Sequence, residues 1–254
     1  MRFSKWHGLA NDYLLIERAD VGHPLEPALV RRLCDYHLGI GSDGVLEVLT
    51  AEGPRAEIVI WNPDGSTAEL SGNGTRIAAR WLARRSGESE VVVAVGPREV
   101  VARMRDGLEV ETEMGLVEVG PPELLAVNGS EVEFTPVSVG NPHAVIRRDP
   151  DRAELLRLGP LVESHPRFPE RTNVEVVSRA PGGGLVARVW ERGVGETAAC
   201  GTGACAAACV AAARLGLAPP IDVRMPGGLL RVAWADLMSV TLAGAVQREG
   251  TIEP

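Results

Sequence analysis

Ser71 and Cys200 each stand immediately before a Gly-x-Gly turn that opens a helix-like stretch. The segment Trp61–Gly87 reads WNPDGSTAELSGNGTRIAARWLARRSG, and Trp190–Gly216 reads WERGVGETAACGTGACAAACVAAARLG. Laid on one another, they match Trp61 with Trp190, Gly72 with Gly201, Gly74 with Gly203 and Gly87 with Gly216, and Ser71 falls on Cys200. A repeat of this length argues for two similar halves. Glycine lets a backbone approach a ligand closely. The first N–H groups of a helix lack internal partners, and the dipole there favours negative charge. Cys200 beside Gly201-Thr202-Gly203 therefore has a physical route to a lowered pKa and to thiolate character. The same N–H groups can hold a substrate carboxylate, where enolate-like charge develops when a proton leaves the α-carbon. Two facing helix starts, each with a proton-handling side chain, suggest an enzyme that works on both faces of one carbon.

Other residues could serve the same chemistry or have plainer roles. Glu191-Arg192, shortly before Cys200, offers one charge of each sign, suited to the ammonium and carboxylate of an amino acid or to a surface ion pair. Asn11, Asn62, Asn141 and Asn173 occupy turn-like places, where capping alone would account for each. Their partial pairing across the repeat favours a shared cleft. His143 in Gly-Asn-Pro-His is open to two readings, a base or an orienting group. Cys205 and Cys209 lie one turn apart on the second helix, and Cys34 on an early amphipathic one; all three read as core, and no metal site is expected. Arg76, Arg80 and Arg84 form a stripe read as a solvated or subunit-facing surface.

The elements that must position these residues follow from the pattern. Strands are expected at Tyr13–Glu17, Val45–Leu49, Ala56–Trp61, Glu90–Val95, Glu99–Met104 and Leu108–Val119, with helices near Glu26–Tyr36, over Gly72–Ser86 and over Cys200–Leu215. The second strong helix is almost wholly Ala, Cys, Val and Leu, which predicts burial on every side. Val137–Ile146 aligns with His7–Ile16, setting Asn141 against Asn11, and Thr172-Asn173-Val174 answers Asp43-Gly44-Val45. Pro181–Gly184 and Pro226–Gly228 read as hairpin turns, and Gly120-Pro121-Pro122 as the linker. The expected halves are 1–120, with 244–254 returning to it, and 121–243. The chain of 254 residues is 45% hydrophobic, ample for such cores. A net charge of −8 argues against nucleic acid or an anionic membrane as partner. With four cysteines in no disulfide framework and no run approaching the ~18–20 residues of a membrane span, a soluble cytoplasmic protein is expected.

Together these motifs resemble diaminopimelate epimerase. HGLANDY (His7–Tyr13), GIGSDG, N-x-DGS (Asn62–Ser66), SGNGTR (Ser71–Arg76), GNPH (Gly140–His143) and TNV stand in that family's order, and ERGVGETAACGTGA (Glu191–Ala204) is similar to its most specific signature. The resemblance implies an α+β fold of two pseudo-symmetric halves, each a curled mixed or antiparallel sheet wrapped around a central helix, with the active site in the cleft between them. It implies a homodimeric, cofactor-independent isomerase that interconverts LL- and meso-2,6-diaminopimelate for lysine and peptidoglycan synthesis. One cysteine removes the α-proton and a second returns a proton from the opposite face. Carried over, Cys200 is one of that pair and Ser71 stands at the other. Gly72, Asn73, Gly201 and Thr202 would cradle the reacting carboxylate. Asn62, Asn173 and Arg192 would hold the distal end, with Asn11 and Asn141 lining the site. His143 and Glu191 would tune the catalytic pair, with Glu191 also placed to contact substrate.

Ser71 in place of a cysteine touches the proton transfer directly, whereas Ile77, where a further Cys often follows, and Gly44, where some relatives have Gln, do not. A hydroxyl is far less acidic than a thiol and needs a base to accept a proton usefully. No base is evident beside Ser71 in the sequence. The readings left open are an epimerase that relays protons through water or His143, an introduced Cys→Ser exchange, and a related isomerase or dehydratase using Cys200 alone on another small amino or hydroxy acid. A non-catalytic amino-acid-binding homologue is the remaining alternative.

Overall fold

The computed structural model describes residues 1–69 and 71–252. It divides into two compact units, one of Met1–Thr112 with Gly244–Pro254 and the other of Glu113–Ala243. Unit 1 runs β1 (Phe3–His7), β2 (Asp12–Glu17), α1 (Arg18–Val21), α2 (Pro27–Cys34), β3 (Val45–Glu52), β4 (Arg55–Trp61), β5 (Thr67–Ala68), α3 (Gly72–Ser86), β6 (Glu90–Val95), β7 (Arg98–Met104) and β8 (Glu109–Gly115), within which the division falls. Unit 2 runs β9 (Glu118–Val119), β10 (Glu123–Val127), β11 (Ser130–Ser138), β12 (Pro142–Arg147), α4 (Arg152–Glu163), β13 (Asn173–Arg179), β14 (Leu185–Glu191), β15 (Gly195–Thr197), α5 (Gly201–Leu215), β16 (Ile221–Met225), β17 (Gly228–Ala233) and β18 (Val240–Ala245). The chain then returns to unit 1 as β19 (Gln247–Ile252), antiparallel to β1.

The two units repeat one sheet topology. β2 pairs parallel with β3, β3 antiparallel with β4, β4 parallel with β6, and β6 antiparallel with β7. In unit 2, β12–β13, β13–β14, β14–β16 and β16–β17 follow in the same senses. The register repeats too: Val45 faces Trp61 and Val174 faces Trp190. α3 packs on β1, β2, β3, β4, β6 and β7, and α5 packs on the matching strands of its own unit, so each sheet curls about one central helix. This is a sheet-dominated α+β fold.

Alternation along the strands decides which side chains face those helices. On β2, Leu14 and Ile16 enter a core with Val30 and Leu33 of α2, while Tyr13 and Leu15 join Ile77, Ala78 and Leu82 of α3. On β12, Ala144 and Ile146 pack with Leu158 and Val162 of α4. His143 and Val145 therefore take the opposite face, toward α5.

Both central helices start and stop by the same devices. Ser71 and Cys200 are the N-caps, with φ/ψ of −134°/119° and −127°/121°. Gly87 and Gly216 end them in the left-handed region, at φ 81° and 66°, where glycine avoids the Cβ penalty. α5 is buried from Gly201 through Ala211, because alanine and glycine let strands approach from all sides.

Some expectations differ from the structure. Leu108–Val119 is two strands, β8 and β9, and β9 pairs with Val137 and Ser138 of β11. The chain therefore joins unit 2 before Gly120-Pro121-Pro122, and Gly120 donates its N–H to Pro136 within that unit. β1, α4 and β19 had no sequence counterpart, since each is short or mixes polar with apolar residues. Among the described residues no helix is long and apolar enough to cross a membrane. Ala206 is fully buried in α5, whereas Ala213 is exposed on the same helix. Ala206→Leu is expected to cost about 1–3 kcal/mol by overpacking, and Ala213→Leu to stay within about 0.5 kcal/mol; denaturant midpoints of the two variants check this.

Candidate active site

Each repeat places one side-chain atom where it caps a buried helix. In unit 1, Ser71 Oγ accepts from Gly74 N–H at 3.1 Å and lies 3.1 Å from the hydroxyl of Tyr13. In unit 2, Cys200 Sγ accepts from Gly203 N–H at 3.4 Å and meets Thr202 Oγ1 at 3.4 Å. The helical ladders begin at Thr75 N–H to Ser71 O and Ala204 N–H to Cys200 O. The amides at 72, 73, 201 and 202 therefore precede the ladders, the orientation that suits an incoming carboxylate.

Around Ser71 a line of amides ends in opposite charges. Asn11 Nδ2 donates to Asp43 at 3.1 Å, Asn73 Nδ2 donates to Asn11 Oδ1 at 3.2 Å, and Arg76 donates to Asn73 Oδ1. A carboxylate only accepts and a guanidinium only donates, so the two ends fix the direction of both amides. Arg76 is fully buried, not part of a solvated stripe; only Arg84 of the three lies exposed, its guanidinium 5.9 Å from the centre of the Trp6 ring. The reason is positional: Arg76 lies one turn after Asn73 on the inward face. Asn62 stands apart, donating to Ser66 Oγ within the Asn62–Ser66 turn.

Around Cys200 a second line runs through unit 2. Glu175 Oε1 lies 2.7 Å from His143 Nδ1, His143 Nε2 lies 3.0 Å from Asn141 Oδ1, and Asn141 Nδ2 donates to Thr202 Oγ1 at 3.4 Å. The side chains of His143 and Glu175 are fully buried within this line. Glu191 Oε1 accepts from Thr197 Oγ1 at 2.5 Å. The two charges of Glu191-Arg192 diverge: Arg192 is exposed and donates to the carbonyl of Glu170 at 3.3 Å. Asn173 spends its amide on backbone, donating to Pro142 O and accepting from Arg192 N–H, so it sets the path of the chain beneath Arg192.

The electrostatics correct one expectation. Burial pushes the Cys200 thiol well above its ordinary range, and the Glu191 and Glu175 carboxylates push it further. Thr202 and the Gly203 N–H pull the other way without prevailing. Cys200 is thus held as a thiol, not as a ready thiolate. Glu191 is itself raised by burial, against its hydrogen bonds from Thr197 and Cys200. Cys34, Cys205 and Cys209 are buried in the core as expected, and burial raises Cys209 to about 12.

Three residues of these networks escaped the sequence reading. Glu175 had a signal, a carboxylate inside the otherwise apolar strand NVEVV that is buried throughout. Asp43 sits inside GIGSDG. Tyr13 matches His143 when HGLANDYLLI is laid on VSVGNPHAVI, a correspondence visible in the repeat itself.

In fold the chain is similar to solved epimerases, a probable proline racemase and phenazine-biosynthesis proteins. A predicted epimerase from Pseudomonas aeruginosa superposes with a TM-score of 0.76 at 18% identity, over 100% of this chain and 98% of that one. A hydroxyproline epimerase from Agrobacterium vitis, with trans-4-hydroxy-L-proline bound, gives 0.74 at 19% identity over 99% and 90%. The protein is an isomerase by class, as its curated relatives are epimerases at 38% identity over more than nine-tenths of the chain. The family model for diaminopimelate epimerase matches residues 3–120 and 135–248. Diaminopimelate epimerases from Desulforudis audaxviator, at 38% identity over 93% of this chain and 92% of theirs, and from Alkalilimnicola ehrlichii, at 40% over 92% and 91%, are among its relatives. The chain belongs to the diaminopimelate epimerase family.

The charge argument at Cys200 has a direct check. Glu191→Gln removes the nearer-acting carboxylate, so the thiol becomes more acidic. The pH midpoint for alkylation of Cys200, located by mass spectrometry, is expected to move down; an unchanged midpoint would remove Glu191 from the causes of the raised pKa.

Proposed function

We propose that the protein interconverts LL- and meso-2,6-diaminopimelate without a cofactor, by removing the α-proton on one face and returning a proton on the other. The observation that carries this reading is the pair of equivalent helix caps, Ser71 and Cys200, each at the start of a buried helix with amides ahead of its ladder. The reacting carboxylate binds the N–H groups of Gly72, Asn73, Gly201 and Thr202. Negative charge that leaves the α-carbon spreads into that carboxylate, where the helix starts stabilise it. Cys200 acts as base on one face once its proton is lost. A thiol held above its usual pKa yields a scarce but strong thiolate, which suits a weakly acidic C–H. Ser71 serves the opposite face.

Arg192 is the group for the distal carboxylate, with Asn62 and Asn173 shaping the chain around it, and Asn11 and Asn141 keep their amides fixed beside the two caps. Glu191 and His143 set the proton affinity at Cys200. Four free, buried thiols fit a reducing cytoplasm, and the family resemblance supports a homodimer. A second reading is favoured by the oxygen at position 71: a one-base isomerisation or dehydration of another small acid, which would give a new product and no epimer.

The test is incubation with LL-diaminopimelate in deuterated water, following epimer formation and deuterium uptake together. Uptake at the α-carbon with appearance of the meso form is expected. Cys200→Ala is expected to lower both by roughly 10²–10⁴-fold. Undiminished exchange in that variant would end the assignment.

A further inference from the structure

We infer that Tyr13 is the proton partner of Ser71, and that the Tyr13–Ser71 pair together supplies the second acid–base group of the reaction. The inference rests on the epimerase reading above. Its geometric basis is the 3.1 Å contact between the two hydroxyls and the burial of the Tyr13 ring in the α3 core. Gly74 N–H holds Ser71 Oγ from the other side, so the serine oxygen is fixed between an amide and a phenol.

The repeat gives this contact a meaning beyond a buried tyrosine finding a partner. Tyr13 on β2 and His143 on β12 are matched positions in the sequence, on strands with matched pairing, and both point at the central helix of their own unit. His143 reaches Cys200 through Asn141 and Thr202. Tyr13 reaches Ser71 directly. Each cap thus has a titratable side chain supplied from the same place in the fold. Space is also made for the phenol: a Cβ on Gly44 would lie 2.6 Å from Tyr13 Cε1 and 2.6 Å from the carbonyl oxygen of Trp61, so position 44 must stay bare while Tyr13 holds this pose.

The step balances as a shared proton. In one direction the Cys200 thiolate takes the α-hydrogen as a proton, and the electron pair of the broken C–H bond passes into the substrate carboxylate. The carbanion then forms its new C–H bond with the proton of Ser71 O–H, while Ser71 Oγ takes the proton of Tyr13. Cys200 ends as thiol and Tyr13 as phenolate. The reverse turnover starts from that state and restores the first.

Tyr13 acts through Ser71 and is therefore a positioning and relay residue, which a four-protein comparison separates from a structural one. The proteins are the wild type, Tyr13→Phe, Ser71→Cys and the double variant. Phenylalanine keeps the buried ring, and Cys200 already shows that a cysteine fits this cap with almost the same backbone angles. With serine at 71, Tyr13→Phe is expected to lower kcat for epimerisation by about 10²-fold with little change in KM. Deuterium uptake by the substrate form facing Cys200 is expected to persist in it, since that thiol removes and returns the proton on one face. With cysteine at 71, which needs no partner to ionise, the effect of Tyr13→Phe is expected to shrink below about 3-fold. An equal loss in both backgrounds, or no loss with serine, would overturn the relay. A wild type that takes up no deuterium would instead overturn the epimerase reading, and the relay with it.

Discussion

A helix that begins inside a curled sheet must have its third amide satisfied without water. Ser71 and Cys200 meet that demand with one short side chain each, and everything else at the site is arranged around the atom that does so. The capping atom is also a reactive atom placed at the helix start. Its position is therefore set by backbone geometry, to the accuracy of a hydrogen bond, before any ligand arrives. Oxygen and sulfur both satisfy the amide, at 3.1 and 3.4 Å. The fold is indifferent to which is present, while the chemistry is not, because the two differ so widely in acidity.

The same logic extends to the groups behind the caps. Buried amides have two ends that look alike in shape and opposite in polarity. In unit 1 the ambiguity is removed by Asp43 at one end of the line and Arg76 at the other. In unit 2, Glu175 anchors the line at His143, and Thr202 carries it to the sulfur. Charged residues fully inside a protein are costly unless paired. Here Asp43 and Arg76 orient two amides that would otherwise have two settings, which gives Arg76 a reason to be buried.

The fold was legible where one element carries a strong local signal. The two Gly-x-Gly helix starts, the all-small α5 and the doubly buried strand YLLI gave their elements nearly residue by residue, and the repeat supplied the pairing of halves. The boundary at Gly120-Pro121-Pro122 misled because glycine and proline mark a turn without saying which side of it makes long-range bonds; β9, just before them, is committed by its pairing to β11. Arg76 was misread because a stripe of like charges does not reveal which face of a helix looks inward. Cys200 was misjudged in its acidity because the helix start is local and visible, whereas the burial that dominates its pKa, and the Glu191 and Glu175 carboxylates that add to it, come from tertiary packing. Asn62 does lie at a turn, where its amide serves Ser66, whereas Asn173 opens strand β13 and its amide serves the backbone around it.

The return of β19 to β1 has a consequence for how the chain is made. β1 lies between β2 and β19, so the first unit lacks an edge of its own sheet until residues past Gly244 have been added. The second unit is contiguous and has all its strands earlier in synthesis than the first. The half that is translated first is therefore completed second, and throughout translation of the other half β1 presents an open edge, the kind of surface that pairs promiscuously. Its Lys5, bridged to Asp12 at 3.3 Å and to Glu249 at 3.8 Å on β19, places a charge on that edge while it waits.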